Sequence, residues 1–187
     1  MDERKWIERI LAGDTQSFSC LVAKYEKMAY TIALRILENR EEAEEAVQDA
    51  FVKMYRALSD FHFDSKFSTW FYRIVYRTAL TALRQQRMFV SYEEAGPVDL
   101  SNDEVESATA LLEREDRKET IARTLKKLPA DEALLLTLYY LEECSVEEIC
   151  QITELSASNV KVKLFRGRKR FYEVLQDKMK LETADLL

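Results

Sequence analysis

The segment FHFDSKFSTWFYRIVYRTALTALRQQR, residues 61–87, combines the types of side chain that bind nucleic acid. The whole chain has a formal net charge of −6, yet residues 65–92 include no Asp or Glu. Aromatic rings stack on unpaired bases, hydroxyl groups hydrogen-bond with base edges, and cations attract phosphates. All three types occur in the first part of the segment, at Phe61, Phe63, Ser65, Lys66, Ser68 and Thr69. This mixture predicts contact with single-stranded nucleic acid.

Helical periodicity separates a basic face of this segment from an apolar one. At 100° per residue an apolar stripe falls within an arc of about 80°, formed by Phe67, Phe71, Ile74, Thr78 and Ala82. A ridge of guanidinium groups fills a separate arc of about 80°, with Tyr76 at its border, at Arg73, Arg77, Arg84 and Arg87. The stripe predicts a buried face, and the ridge is suited to follow a phosphate backbone. The alternative interpretation is a solvated face whose arginines pair with glutamates of a neighbouring helix. Core positions are favoured over base contacts for Trp70 and for the rings of the stripe.

The C-terminal segment SVEEICQITELSASNVKVKLFRGRKRF has the outline of a helix-turn-helix. A short helix holds Ile149 and Ile152, a turn covers residues 153–155, and Ser156 is placed to cap the second helix. The outer face of that helix is polar and basic, at Ser158, Asn159, Lys163, Arg166, Lys169 and Arg170. A recognition helix presents such residues to base edges and phosphates in the major groove. Many such turns use Gly at a left-handed position, and here Glu154 stands there, at a cost of about 1 kcal/mol if the backbone is unchanged.

The rest of the chain predicts helices throughout. Three Gly and two Pro in 187 residues are too few for a sheet protein rich in tight turns. Apolar residues recur at helical spacing over residues 14–58, in one helix capped near Asp14 and Thr15 and another from about Arg40. We therefore expect an all-α fold of two small helical domains joined by an acidic linker. The expected bounds are residues 1–90, 91–115 and 116–187.

Several classes of function are disfavoured by what the chain contains. Cys20, Cys144 and Cys150 show no CxxC spacing, which indicates buried free thiols rather than a disulfide framework or a zinc site. With His62 as the one histidine and no phosphate-binding glycine loop, we expect no metal, no cofactor, no small-molecule substrate and no enzyme activity. The N-terminus has no apolar signal-peptide core and no run reaches the ~20 apolar residues of a membrane span, so a cytoplasmic location is expected.

Three motifs, in order, resemble those of bacterial RNA polymerase sigma factors of the extracytoplasmic-function group. EEAEEAVQDAFVKMYRAL is similar to the family's polymerase-binding helix. FDSKFSTWFYRIVYRTALTALR is similar to its promoter-melting segment, with the F-S-T-W core intact. LPADEALLLTLYYLEECSVEEICQITELSASNVKVKLFRGRKRF is similar to its C-terminal helix-turn-helix. The resemblance covers nearly the whole chain and implies a transcription initiation subunit.

The resemblance assigns three sets of residues to partners. Docking on core RNA polymerase is implied for Glu45, Gln48 and Asp49. Contact with the melted minus-ten element of promoter DNA is implied for Phe63, Asp64, Ser65, Lys66, Phe67, Ser68, Thr69, Arg73, Tyr76, Arg77 and Arg84. Reading of the minus-thirty-five element is implied for Ser156, Ser158, Asn159, Lys161, Lys163, Arg166, Lys169 and Arg170. An anti-sigma factor, in some relatives membrane-anchored, is the regulator that the family implies.

The sequence departs from the family pattern at a few of these positions. Arg77 stands where the family most often has Asn, and Thr81 where it commonly has Asp. Thr153 and Glu154 replace the usual Leu-Gly of the turn, and Ala133 lies near a customary Arg. The strand-contacting surface is therefore more basic than usual. The acidic linker could lie against the basic helices in the free protein, so we expect the free protein to bind promoters poorly.

Two other functions compete with this prediction. A helix-turn-helix regulator whose N-terminal half senses a ligand or dimerises would bind palindromic operators without polymerase. A helical interaction protein, such as a sigma-like decoy, would bind a regulator and never DNA. Reversing Arg73 and Arg77 to Glu would leave the function of such a decoy unchanged.

Overall fold

The computed structural model describes residues 3–90 and 112–184, and within these ranges the chain is helical with no β-strand. This confirms the predicted all-α class. Most of the predicted linker, residues 91–111, lies outside the described residues. The helices are α1 Glu3–Leu11, α2 Gln16–Leu37, α3 Arg40–Arg56, α4 Phe67–Val90, α5 Leu112–Lys126, α6 Ala130–Tyr140, α7 Val146–Thr153 and α8 Ala157–Ala184, with a 3-10 turn at Leu58–Asp60.

Helices α1 to α4 form an N-terminal helical unit in which α2, α3 and α4 pack against one another. The most deeply buried side chains of its core are at most 4% exposed, among them Leu21, Tyr25, Ile32 and Phe71. The beginning of α3 is fixed by Asn39, whose side-chain oxygen accepts a hydrogen bond from the Glu42 backbone N–H at 3.2 Å. Helix α1 lies on α2 and was not predicted as a separate helix from the sequence.

Helices α5 to α8 form a C-terminal helical unit around Leu138, Ile149 and Ile152, each fully buried. Helices α7 and α8 are the predicted helix-turn-helix. Ser156 Oγ accepts from the Asn159 N–H at 3.3 Å, which confirms its role as a cap. Glu154 is the C-cap of α7, and its φ of 62° lies in the left-handed region. Glycine is the usual residue in this conformation, and here a glutamate adopts it.

The two helical units lie against each other. Helix α7 packs along α4, and α6 packs on α2. Arg35 of α2 extends the contact, because its Nη1 donates to the Leu125 carbonyl oxygen at 3.2 Å. The basic segment of α4 therefore has the C-terminal unit as its neighbour.

No helix within residues 3–90 and 112–184 is both long enough and apolar enough to cross a membrane.

Candidate nucleic-acid interface

The loop before α4 presents one exposed ring on a buried aromatic base. Phe63 is 41% exposed, whereas Phe61 beneath it is 6% exposed, and their ring centroids are 4.8 Å apart. Phe61 in turn contacts Phe67 and Trp70 at centroid distances of 5.4 and 5.1 Å. The Arg4 guanidinium lies 4.9 Å from the centroid of the Phe63 ring. A ring held in this way loses little side-chain entropy when a base stacks on it.

The residues predicted for the minus-ten element differ widely in exposure. Asp64 and Lys66 are exposed beside Phe63, and Ser65 and Ser68 are half-buried. Phe67 and Thr69 are only 3% and 2% exposed. In this conformation the latter two have almost no surface to offer a base, so Phe67 acts as part of the core that supports the loop.

Lys66 and Thr69 both meet Glu148 of α7. Lys66 Nζ lies 2.9 Å from Glu148 Oε1, and Thr69 Oγ1 is 3.5 Å from the same oxygen. Burial tends to raise the pKa of Glu148, but the Ser145 backbone N–H and the Lys66 ammonium together hold this pKa below its ordinary value. The hydrogen bond to Glu148 correspondingly raises the pKa of Lys66.

The arginine ridge of α4 lies partly in solvent and partly against the C-terminal unit. Arg84 is exposed, and Arg73 is half-buried. Arg77 Nε donates to Glu154 Oε1 at 2.8 Å, and its Nη2 contacts the same oxygen. Arg77 thus follows the alternative interpretation in this conformation, in which the ridge pairs with glutamates of a neighbouring helix.

Tyr76 and Tyr72 lie on the side of α4 that meets the C-terminal unit. Tyr76 is half-buried and lines a cavity of about 470 Å³ between α2, α4 and α6. Burial raises its pKa, with smaller contributions from the carboxylates of Glu154 and Asp131. Tyr72 is 2% exposed, and its hydroxyl donates to Glu142 Oε2 at 2.6 Å. Burial and Glu142 raise the Tyr72 pKa as well, so the hydroxyl keeps its proton at neutral pH.

Tyr72 was not predicted from the sequence because it lies between the apolar stripe and the arginine ridge on the helical wheel. Its neighbours Val75 and Ala79 are likewise fully buried outside the predicted stripe. The buried face of α4 is wider than predicted because three helices, α2, α3 and α7, pack against it. The signal available in the sequence was the run of apolar and aromatic residues on the sector that includes Tyr72.

A second surface, on α3, carries the residues predicted to dock on polymerase. Glu45, Gln48 and Asp49 are all exposed, and their spacing of three and four places them on one face. The opposite face of α3 is buried, with Ala46 and Ala50 at most 4% exposed. The three side chains therefore form a continuous acidic and polar patch on a helix whose other side is fixed in the core.

The outer surface of α8 is basic and polar, as its sequence predicts. The exposed members of the predicted minus-thirty-five set are Ser156, Ser158, Asn159, Lys161, Arg166, Lys169 and Arg170. Lys163 is half-buried in an ion pair with Asp131 of α6. Burial alone would raise the pKa of Asp131, but the Lys163 ammonium keeps it below its ordinary value.

Two apolar side chains of this surface were not singled out from the sequence. Val162 and Phe165 are 44% and 66% exposed on α8. They lie between the cations, where an apolar group can contact a thymine methyl group. Gly167 faces inward instead, since a Cβ there would lie 3.2 Å from Leu136 Cδ1. This close approach allows α8 to pack on α6.

The thiols form neither a disulfide nor a metal site in the part of the chain that the structure describes. All three are free, as predicted, but burial holds only for Cys144, since Cys20 is exposed and Cys150 is half-buried. Burial raises the pKa of Cys144 to about 11, helped by the carboxylates of Glu148 and Glu142. No group of three or more His, Cys, Asp or Glu side chains is positioned to hold a metal among the described residues.

Comparison with known protein families identifies both halves of the chain. A family model described as Sigma-70 region 2 matches residues 21–88, and one described as Sigma-70, region 4 matches residues 118–171. The first match spans most of α2 through α4, and the second includes the helix-turn-helix.

Curated relatives match over nearly the full length. The RNA polymerase sigma-H factor of Pseudomonas aeruginosa is 32% identical over 181 residues, which cover 93% of this chain and 94% of that protein. The ECF RNA polymerase sigma-E factor of Escherichia coli strain K12 is 31% identical over 170 residues, covering 87% and 88% of the two chains. Among solved structures, the sigma factor RpoE of Bartonella quintana, crystallised with the anti-sigma factor NepR, has a TM-score of 0.69 at 18% identity. That likeness covers 86% of this chain and 98% of the other and concerns the fold.

Proposed function

The chain belongs to the sigma-70 family as an RNA polymerase sigma factor of the extracytoplasmic-function group, and we propose which of its surfaces performs each step of initiation. As a sigma factor it binds core RNA polymerase, recognises the two promoter elements and initiates transcription. It is not an enzyme, because catalysis belongs to the polymerase. The competing regulator with a sensing domain is not favoured by these matches.

The loop and α4 hold the melted minus-ten element. The single observation that carries this proposal is the exposed Phe63 ring on its buried aromatic base, with Lys66 beside it. A base that leaves the duplex can stack on the ring while its phosphate meets the ammonium. Arg73 and Arg84 extend positive charge along α4 for the adjoining phosphates. Because these groups favour unpaired over paired DNA, they shift the population toward the open promoter.

The α3 surface docks on core polymerase, and α8 reads the minus-thirty-five element. Gln48 and Asp49 provide an exposed hydrogen-bonding and acidic patch on a rigid helix, which suits a basic or polar partner. On α8, Ser158 and Asn159 lie in the N-terminal part of the helix, which a recognition helix directs at base edges. The later cations Lys169 and Arg166 contact phosphates.

Run-off transcription with core RNA polymerase on a promoter library tests these assignments. Gln48→Ala/Asp49→Ala is expected to lose both core binding and transcripts. Lys66→Glu/Arg73→Glu is expected to keep core binding in a pull-down but to lose open complexes. The matched control is Glu26→Ala/Lys27→Ala, which changes two exposed side chains of α2. If both test variants initiate as well as wild type, the proposed surfaces are wrong.

We also propose that an anti-sigma factor regulates the protein in the cytoplasm. The Bartonella quintana relative was solved with an anti-sigma factor, and this chain shares its fold. Such a partner would compete with polymerase or DNA for the surfaces described above. Affinity capture with tagged wild type and with Gln48→Ala/Asp49→Ala, followed by mass spectrometry, tests this proposal: a partner must both co-purify and suppress run-off transcription.

A further inference from the structure

A cation from α1 lies over the exposed Phe63 ring. The Arg4 guanidinium is 4.9 Å from the ring centroid, within the distance at which the electrons of an aromatic face attract a cation. The region 2 family model gives no role to α1, because its match begins at residue 21, after this helix has ended. The contact therefore connects a helix outside the matched region to the loop that we propose for the melted strand.

The backbone of Phe63 adopts a conformation that needs support from its surroundings. Its φ of 62° lies in the left-handed region, where a Cβ crowds the following carbonyl oxygen and where bulky residues are rare. Such a conformation persists only where neighbouring groups determine it. The residue is 41% exposed, so the core holds only part of it. The ring therefore depends on its contacts with Phe61 and Arg4.

The first turn of α1 is connected to both ends of an aromatic cluster beneath the loop. At successive centroid distances of 4.8, 5.4 and 5.3 Å, the cluster runs through Phe63, Phe61, Phe67 and Tyr25. The hydroxyl of Tyr25 donates to Glu3 Oε1, and Glu3 is the residue before Arg4. The contacts therefore form a closed circuit that leaves α1 and returns to it. A side chain held from two sides has fewer rotamers to lose, so less entropy is lost when a base binds.

Helix α1 is itself fixed to the N-terminal unit. Ile7 and Ile10 are 0% and 6% exposed, and the helix packs on α2 and on the 3-10 turn that leads into the loop. Arg4 Nε donates to Glu8 Oε1 at 3.2 Å, one turn further along the helix, which restrains the guanidinium. The arginine therefore reaches the ring from an anchored helix.

We propose that Arg4 is a positioning residue for strand capture, because its guanidinium holds the Phe63 ring in the conformation on which an unpaired base stacks. The inference rests on the function proposed above for Phe63. The part of Phe63 that stays exposed with Arg4 in place is the surface left for the base. A cation over an exposed ring favours the ordered arrangement by about two- to fivefold, and Arg4→Ala is expected to reduce open complexes by that factor.

Two arginine variants and a matched lysine variant test the inference in the reconstituted holoenzyme. Arg4→Ala removes the cation from an exposed position, whereas Arg4→Lys keeps a cation that can lie over the ring. Lys5→Ala is the control, because Lys5 is the exposed neighbour of Arg4 on α1 and its loss changes the net charge equally. Arg4→Ala is also combined with Phe63→Ala. Open complexes are measured by permanganate reactivity of unpaired thymines on a promoter recovered from the run-off library, and thermal unfolding checks the fold of each variant.

The expected result is a loss of about two- to fivefold in Arg4→Ala, recovery in Arg4→Lys, and wild-type behaviour in Lys5→Ala. Adding Arg4→Ala to Phe63→Ala is expected to cause no further loss. A further loss of the same size would overturn positioning, because the guanidinium would then act on DNA without the ring.

Two other outcomes separate this inference from the proposed function. If Phe63→Ala loses open complexes but Arg4→Ala matches Lys5→Ala, positioning by Arg4 is wrong and the proposed function of the ring stands. If Phe63→Ala matches wild type, the proposed function of the ring is wrong, and the inference about Arg4 fails with it.

Discussion

Arg170 Nη1 of α8 lies 3.2 Å from Oε2 of Glu132 on α6, a carboxylate whose side chain is 7% exposed. A residue predicted to contact DNA therefore also neutralises a buried charge inside the C-terminal unit. Since a buried charge without a partner is costly, this arginine has a structural role before any DNA is bound.

Arg170→Ala is expected to lower the free energy of unfolding by about 1–3 kcal/mol, because it leaves the Glu132 carboxylate without its partner. Urea unfolding followed by circular dichroism measures the change. The matched control is Lys169→Ala, whose side chain is exposed and 3.9 Å from Glu173, and a change within about 0.5 kcal/mol is expected there. Equal stability of the two variants would show that the ion pair does not support the fold.

Phe63→Ala is expected to reduce open-complex formation by roughly 5- to 150-fold, since base stacking on an aromatic ring contributes about 1–3 kcal/mol. The measurement is permanganate reactivity of unpaired thymines with the reconstituted holoenzyme. His62→Ala is the control, because His62 is the exposed neighbour of Phe63 in the same loop. Reactivity equal to wild type in Phe63→Ala would remove the ring from the proposed strand contact.

Glu148→Gln is expected to lower stability at neutral pH and to have little effect in acid. The folded-state pKa of Glu148 is depressed below the ordinary value of 4.5, so its contribution is complete above that value. The contribution is lost as the pH falls through the lower, folded-state pKa, because the protonated carboxyl no longer pairs with Lys66. The difference in unfolding free energy between wild type and variant should therefore be constant at neutral pH and shrink as the pH falls below about 4.5.

The same pH series with Glu147→Gln provides the control, since Glu147 is exposed on the same turn of α7. A wild-type advantage over Glu148→Gln that persists unchanged into acid would contradict the assigned ion pair.

Glu143→Gly is expected to raise the free energy of unfolding by about 0.5–1 kcal/mol. Glu143 is exposed with φ of 52°, a left-handed conformation that glycine adopts without steric cost. Part of the gain is offset by the greater chain entropy of glycine in the unfolded state. Both this variant and Glu143→Ala are measured by thermal unfolding. Glu143→Ala removes the same carboxylate without relieving the backbone and should gain no stability.

Features that depend on residues close together in the chain could be predicted from the sequence. The start of α3 at Arg40 and the turn at Glu154 are confirmed because capping and turn residues act within a few positions of the chain. Helix α1 was missed because its charges obscured a short apolar face, Ile7 and Ile10, that is buried only by packing on α2 and on the turn that begins at Leu58.

The sequence by itself determined the family, the helical class and the two basic surfaces, since each depends on residue type and on spacing within a single segment. The tertiary structure alone decided which glutamates face which cations. Arg77 and Glu154 lie on different helices and are brought together by the packing of α7 on α4. Helical periodicity gives the direction of a side chain about its own axis, but not the helix that covers it. That depends on how the apolar faces of separate segments bury one another.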